Sequence, residues 1–233
     1  MIKINKLAPP EELSDLQRQA ESEGLSATQA YNKLENPLKK EVRDQLIREQ
    51  GHLCAYCMRR IPDERVESNG VIIEHWAPRN PSDSSGAFDA LNYLNMLAVC
   101  TGNQNDKTSK RKQRLTCDAK KDNRRIKVNP LEQTMIDSIS YKQNGEITSS
   151  DNEIKHDLNI TLNLNCCFDA VRLPDNRKEA LSAVQESIEK LMDEEVVTYC
   201  KEILSEFENE TDPKTPYVGI IIWWLKDFIN SIE

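Results

Sequence analysis

The chain has 233 residues, 38% of them hydrophobic, and a formal net charge of −8. That size and apolar share suit a globular protein with one sizeable core or two small ones, and the acidic balance argues against a general nucleic-acid coat. The longest apolar run, YVGIIIWWL at 217–225, is about half of what a membrane-spanning helix needs. The N-terminal MIKINKLAPPEEL lacks the apolar core of a secretory signal, so a cytoplasmic protein without a membrane segment is expected.

Residues 10–50 read as helical. Glu11 to Ala20 is one candidate, and LKKEVRDQLIRE from Leu38 places Val42, Leu46 and Ile47 on one face. That helix delivers the chain into HLCAYCMRRI. Next come GVIIEHW and YLNMLAVC, the strongest strand candidates, separated by the turn-rich PRNPSDSSGAF. ISYKQNGEITS reads as a hairpin with Asn144-Gly145 at its turn. Beyond it, Pro174 and Asp175 start a helix whose apolar stripe is predicted to run through Leu181, Val184, Ile188, Leu191, Val196 and Ile203. A last helix follows Thr215-Pro216, with Val218, Ile221, Leu225, Phe228 and Ile232 on one side. Its spare apolar width, including Trp223 and Trp224, leaves room for a partner surface. The expected class is α+β, mainly α, in three stretches: helical 1–50, a core at 51–130, and the hairpin with C-terminal helices at 131–233.

Seven cysteines are an odd number, and cytosolic thiols stay reduced, so grouped cysteines point to metal rather than to disulfides. Cys54 and Cys57 form a C-x-x-C; Cys100 and Cys117 follow after 42 and 16 intervening residues. Four thiolates complete a tetrahedral zinc shell, and the tight pair supplies two ligands from one knuckle. A thioredoxin-like redox pair is disfavoured because CAYCMRRIPDER leads into no βαβ unit. Cys166, Cys167 and Cys200 are expected to be buried and inert. Charge is unevenly spread. Residues 106–127 hold ten bases and three acids, a local +7, whereas residues 185–233 hold twelve acids and four bases, −8. A basic segment on an acidic body suits a face that meets phosphate while the rest meets protein or water.

Between the two halves of the zinc shell lie Glu74 and His75 at a strand end. Hydrolysing a phosphodiester needs a base to activate water and a divalent cation to neutralise the phosphate. His75 has the intrinsic pKa for the base, and Glu74, pointing the other way on the strand, could be an oxygen ligand for Mg²⁺ or Mn²⁺. The order C-x-x-C, Glu74-His75, Asn95 five residues before Cys100, then Cys117 followed by a polar ligand and a lysine resembles the HNH endonucleases, the ββα-metal class, over residues 54–121. HLCAYC, IEHWAPR, NYLNMLAVC, LTCDAKKDN, the following VNP and the hairpin are similar to the HNH subunit, PtuB, of Septu antiphage systems and its relatives encoded beside retrons, and that resemblance spans most of the chain.

The resemblance implies a ββα-metal core with a structural zinc site, flanked by helices, and an effector nuclease acting on DNA. Asn95 would orient the base or reach the metal. Asp118 stands where many HNH proteins have histidine, an oxygen ligand suited to Mg²⁺. The 16-residue insertion before Cys117 carries Lys107, Lys110, Arg111, Lys112 and Arg114 and reads as a phosphate-gripping loop. His52 beside the knuckle reads as structural, and His156 has no assigned role. Implied partners are a PtuA-like ATPase and, in retron versions, a reverse transcriptase with its RNA-linked DNA. The acidic C-terminal helices are the candidate docking region, and deleting residues 176–233 is expected to release the ATPase while leaving the zinc site folded. Two rival readings stand beside this one. The first is the same effector cutting RNA, such as host tRNA. The second is a non-enzymatic zinc module that binds nucleic acid or protein, which gives Glu74, Asn95 and Asp118 no task.

Overall fold

In a computed structural model, residues 1–62, 70–80 and 90–232 are described, and the turn-rich stretch between the two strand candidates lies mostly outside them. Their class is α+β, mainly helical. The N-terminal helices are α1 (Glu11–Ser22), α2 (Ala27–Asn32) and α3 (Leu38–Glu49). Ser26 starts α2 in a capping box with Gln29, which satisfies two donors that the first turn would leave open. On α3 the expected face, Val42, Leu46 and Ile47, is buried.

The central hairpin pairs β1 (Val71–His75) with β2 (Met96–Cys100), antiparallel, with Val71 opposite Cys100 and His75 opposite Met96. Both strands are short; β1 opens with the β-branched Val71, Ile72 and Ile73, and every side chain of the apolar β2 is buried. Between Cys100 and Cys117 runs a loop holding the short helix α4 (Arg111–Arg114), and Cys117 opens α5 (Cys117–Lys121), which packs beside β2.

A short helix α6 (Gln133–Asp137) precedes the hairpin of β3 (Ile139–Tyr141) and β4 (Ile147–Ser149), which turns at Asn144-Gly145 as its sequence signal requires. Gly145 has φ +83, and a Cβ there would stand 2.0 Å from the Pro174 carbonyl oxygen. The hairpin tip is thus seated on the start of a later helix. The helix α7 (Asn152–His156), a π-helical turn at Asp157–Thr161 and the small pair β5 (Cys167–Phe168) and β6 (Val171–Arg172) lead to α8 (Leu173–Ile188), α9 (Asp193–Asn209) and α10 (Val218–Ile232). Arg177 on α8 is buried and donates to the carbonyls of Gly145 (2.6 Å) and Leu164 (2.9 Å) and to Asn165 Oδ1 (3.0 Å), tying helix to hairpin.

Three expectations are corrected here. The single stripe from Leu181 to Ile203 is divided between α8 and α9 by a turn closed by the Leu191 N–H to Ile188 carbonyl bond (3.0 Å). The chain reverses so that both helices pack on α10. Cys167 is exposed rather than buried, unlike Cys166 and Cys200. The C-terminal stretch is not detachable, because one apolar core runs from Met1 to Ile229. Backbone bonds join Lys214 N–H to Gly51 O (2.9 Å) and Tyr217 N–H to Met58 O (3.0 Å), and Arg60 donates to Lys214 O at 2.5 Å. Removing residues 176–233 would strip these from the C-x-x-C knuckle. Among the described residues no helix is long and apolar enough to cross a membrane.

Gly102 sits at φ +55 where the loop leaves β2, and a Cβ there would meet the Thr116 carbonyl oxygen at 2.0 Å. Gly102→Ala should therefore prise Cys100 from Cys117 and cost about 2–4 kcal/mol of stability from backbone strain and overpacking. Urea unfolding of the two proteins measures it, and equal midpoints would contradict the close approach.

Candidate active site

Four sulfurs meet behind the central hairpin. The knuckle is closed by Met58 N–H to Cys54 O (2.9 Å) and Cys54 N–H to Arg59 O (3.0 Å), with Met58 at φ 61 making the tight reversal. Cys100 is the last residue of β2, and Cys117 at the start of α5 is anchored by its N–H on Leu162 O (2.9 Å). Gln50 at the end of α3 stitches knuckle to strand. Its amide donates to Leu53 O (2.8 Å) and Ala98 O (2.7 Å) and accepts from Ala98 N–H (2.8 Å).

The sulfur separations are 3.9 Å for Cys54–Cys117, 3.8 Å for Cys57–Cys100 and 3.7 Å for Cys100–Cys117, and all four lie within 4.8 Å and are buried. A tetrahedral shell with Zn–S bonds of about 2.3 Å has an edge of about 3.8 Å, so the cluster has the dimensions to hold a metal ion of that kind. Its protonation agrees. Hydrogen bonds from Cys100, Cys117 and Cys54 hold the Cys57 thiol well below its ordinary range, while the same crowding and burial push Cys117 well above it. Without a cation the first thiolate opposes the others, and a divalent ion removes the conflict.

Across β1 from the sulfurs, Glu74, His75, Arg79, Arg111, Asp118 and Lys121 line a cleft of 330 Å³. Lys121 is fully buried and donates to Glu74 Oε1 at 2.6 Å and to the His75 carbonyl at 2.9 Å. Tyr56, inside the C-x-x-C, donates its hydroxyl to Glu74 Oε1 at 3.2 Å. Burial first, then the charge of Asp118, raises the Glu74 carboxyl above the usual range, against the pull of Lys121. His75 Nε2 stands 2.9 Å from Ala90 O. A carbonyl only accepts, so this bond puts the ring proton on Nε2 and leaves Nδ1 as the basic nitrogen. Burial, with the nearby cations Arg79, Lys121 and Lys39, pulls His75 down to about 4 although the Ala90 bond opposes it. The imidazole is therefore neutral at physiological pH. Tyr31 of α2 meets its ring edge-on at 5.0 Å, and Arg79 and Lys39 lie over the Tyr31 ring at 4.0 and 4.8 Å.

The structure brings Glu74, His75 and Asp118 together. Glu74 and His75 line the same cleft although strand alternation places them on opposite faces, and the cleft runs along β1 past Ile72 and Ile73 as well. Asn95 is not among the lining residues. Its amide donates to Ala77 O (3.0 Å) and accepts from Ala77 N–H (2.8 Å), and its carbonyl accepts from Trp76 N–H (3.0 Å). Asn95 thus fixes the chain leaving His75 rather than pointing at a metal. Of the five loop cations only Arg111 lines the cleft. Arg114 is spent on Asp106 (3.0 Å) and Asp169, Lys110 lies 5.3 Å over the Phe168 ring, and Lys107 and Lys112 are exposed. His52 pairs with Asp212 at 3.1 Å beside the knuckle.

Sequence reasoning missed the roles of Lys121, Tyr56, Tyr31 and Arg79. A signal existed for Lys121, which lies four residues after Cys117 and so on the same helix face. Tyr31 and Arg79 carry none, since only the tertiary fold brings α2 over β1. No protein-family model and no curated protein matches this sequence.

Two outcomes are expected. The purified protein should hold one zinc per chain by elemental analysis, and stripping it, or Cys57→Ser, should lower the melting temperature by more than about 10 °C, because apparent zinc binding of about 10–16 kcal/mol rivals a domain's whole stability. An unchanged melting curve would show a cluster of inert thiols. For His75, the unfolded imidazole takes up a proton near 6.5 and the folded one only near 4, so stability is lost as pH falls through that window. On acidification from pH 7 to 4, His75→Gln should therefore lose about 3 kcal/mol less than wild type by urea titration.

Proposed function

We propose that the chain is a divalent-cation-dependent endonuclease of the HNH type, hydrolysing phosphodiester bonds, with DNA as the substrate. The observation that carries this reading is the meeting of a neutral, buried imidazole with two carboxylates and flanking arginines in one cleft. A mere zinc-bound scaffold gives that grouping no purpose. In this reading β1, β2 and α5 form the ββα unit, and zinc in the cysteine cluster holds it together without touching the reaction.

Each side chain then has a task. His75 Nδ1 accepts a proton from the attacking water, and the Nε2–H bond to Ala90 O keeps the ring oriented as it becomes charged. Asn95 holds the strand exit that carries His75. Glu74 and Asp118 supply hard oxygen ligands for Mg²⁺ or Mn²⁺, and when bound the ion would neutralise the phosphate under attack. Arg79 and Arg111, from opposite sides of the chain's order, would grip the flanking phosphates. The resemblance adds a setting: an antiphage effector working with a PtuA-like ATPase.

The test incubates plasmid DNA and total tRNA with the protein in Mg²⁺, with and without that ATPase, and compares wild type with His75→Ala. Wild type should nick the plasmid, and the variant should be at least about 100-fold slower. Cleavage of tRNA alone would replace the substrate. Cleavage untouched by His75→Ala, or absent throughout, would defeat the catalytic reading.

A further inference from the structure

The roles above leave two charged residues of the cleft unused, the exposed Asp122 and the buried Lys121. Lys121 is fully buried, and its ammonium is in contact with a carboxylate that this reading assigns to a divalent ion. The contact is built rather than incidental. Cys117 fixes the first turn of α5, which aims Lys121 inward, and the ammonium is shared between Glu74 Oε1 at 2.6 Å and the His75 carbonyl at 2.9 Å, with the Tyr56 hydroxyl on the same carboxylate oxygen at 3.2 Å. Asp118 lines the cleft three residues earlier on the same helix. Glu74 and Asp118 together offer two negative charges and the ammonium on Glu74 offsets one of them, which leaves about one, enough to attract a cation but half of what both acids offer. Arg79 and Arg111 do not share this place. The first lies over the Tyr31 ring, and the second donates from Nε to Gln104 O at 3.1 Å.

We propose that Lys121 is a resident competitor for the divalent cation: its ammonium holds Glu74, and an ion taken up by Glu74 and Asp118 must displace that ammonium. The inference rests on the two-carboxylate reading of the cleft. It assigns Lys121 a regulating role in ion affinity, since a positive charge this close to a ligand in a buried site opposes a second cation strongly. A purely structural lysine would act in the opposite sense, and its loss would disorder Glu74 and weaken ion binding.

The experiment titrates zinc-loaded wild type, Lys121→Met, Lys121→Arg and Glu74→Gln with Mn²⁺ and reads free Mn²⁺ by electron paramagnetic resonance. It is run at pH 8.5, so that a carboxyl proton does not replace the missing ammonium. Lys121→Met should bind Mn²⁺ at least about tenfold more tightly than wild type, and Lys121→Arg should stay near wild type. Equal or weaker binding by Lys121→Met overturns the proposal. Should that variant fail to fold, wild type decides. Acetylation of Lys121 by an active ester, followed by mass spectrometry, should rise at least about fivefold on adding Mn²⁺ relative to the buried Lys6, and an unchanged ratio overturns the proposal. If Glu74→Gln binds Mn²⁺ like wild type, the carboxylate reading itself has failed and the proposal falls with it. If only the Lys121 comparison is flat while cleavage still needs His75, the nuclease reading stands alone.

Discussion

Both walls of the cleft hang on the four-sulfur cluster. Cys100 closes β2, and the pairing of β2 with β1 sets Glu74 and His75; Cys117 opens α5, which carries Asp118 and Lys121. The knuckle contributes Tyr56 from between its own two sulfurs. Metal binding at such a cluster is therefore a statement about distance between acids and imidazole, not only about stability. A four-thiolate zinc site would contribute a free energy comparable to the net stability of a whole domain, so with such an ion bound one bond set would govern both the geometry of the cleft and the folding of the chain.

The cleft floor is costly by itself. Glu74, His75 and Lys121 are all nearly inaccessible, and ions withdrawn from water lose several kcal/mol each unless paired. Glu74 and Lys121 meet that cost by contact, and His75 avoids it by staying neutral. The basic loop shows the opposite economy. Its exposed lysines bear their charge in water, and Arg114 is consumed in ordering the loop through Asp106 and Asp169. Net charge along the sequence counts these groups alike, whereas their surroundings separate an arginine that lines the cleft, Arg111, from a structural one, Arg114.

Much of this was legible in the residues. The α3 face, the two central strands, the β3–β4 turn and the presence of the last helix follow from local periodicity and turn chemistry, although α10 buries Ile229 and leaves the expected Ile232 exposed. The cysteine spacing named the four sulfurs. What escaped depended on distant segments. A three-or-four stripe continues through Leu191 as well before a reversal as along a straight helix, so the α8–α9 break has no local mark. Cys167 opens β5 and is exposed, whereas Cys166, one residue before that strand, is buried, and nothing in the local sequence separates the two. Asn95 could be recognised as necessary but not as a clamp on Ala77, since both its partners are backbone groups eighteen residues away.

The bond from Tyr217 to Met58 carries a consequence for biosynthesis. The knuckle is made more than 150 residues before the segment that seals it and before the buried Ile220 and Leu225 behind that segment. A growing chain presents its first two thiols long before their cover exists, so the C-x-x-C pair stays open to metal ions and oxidants until that segment is made. Slow translation across the intervening residues would thus prolong the exposure of those two thiols.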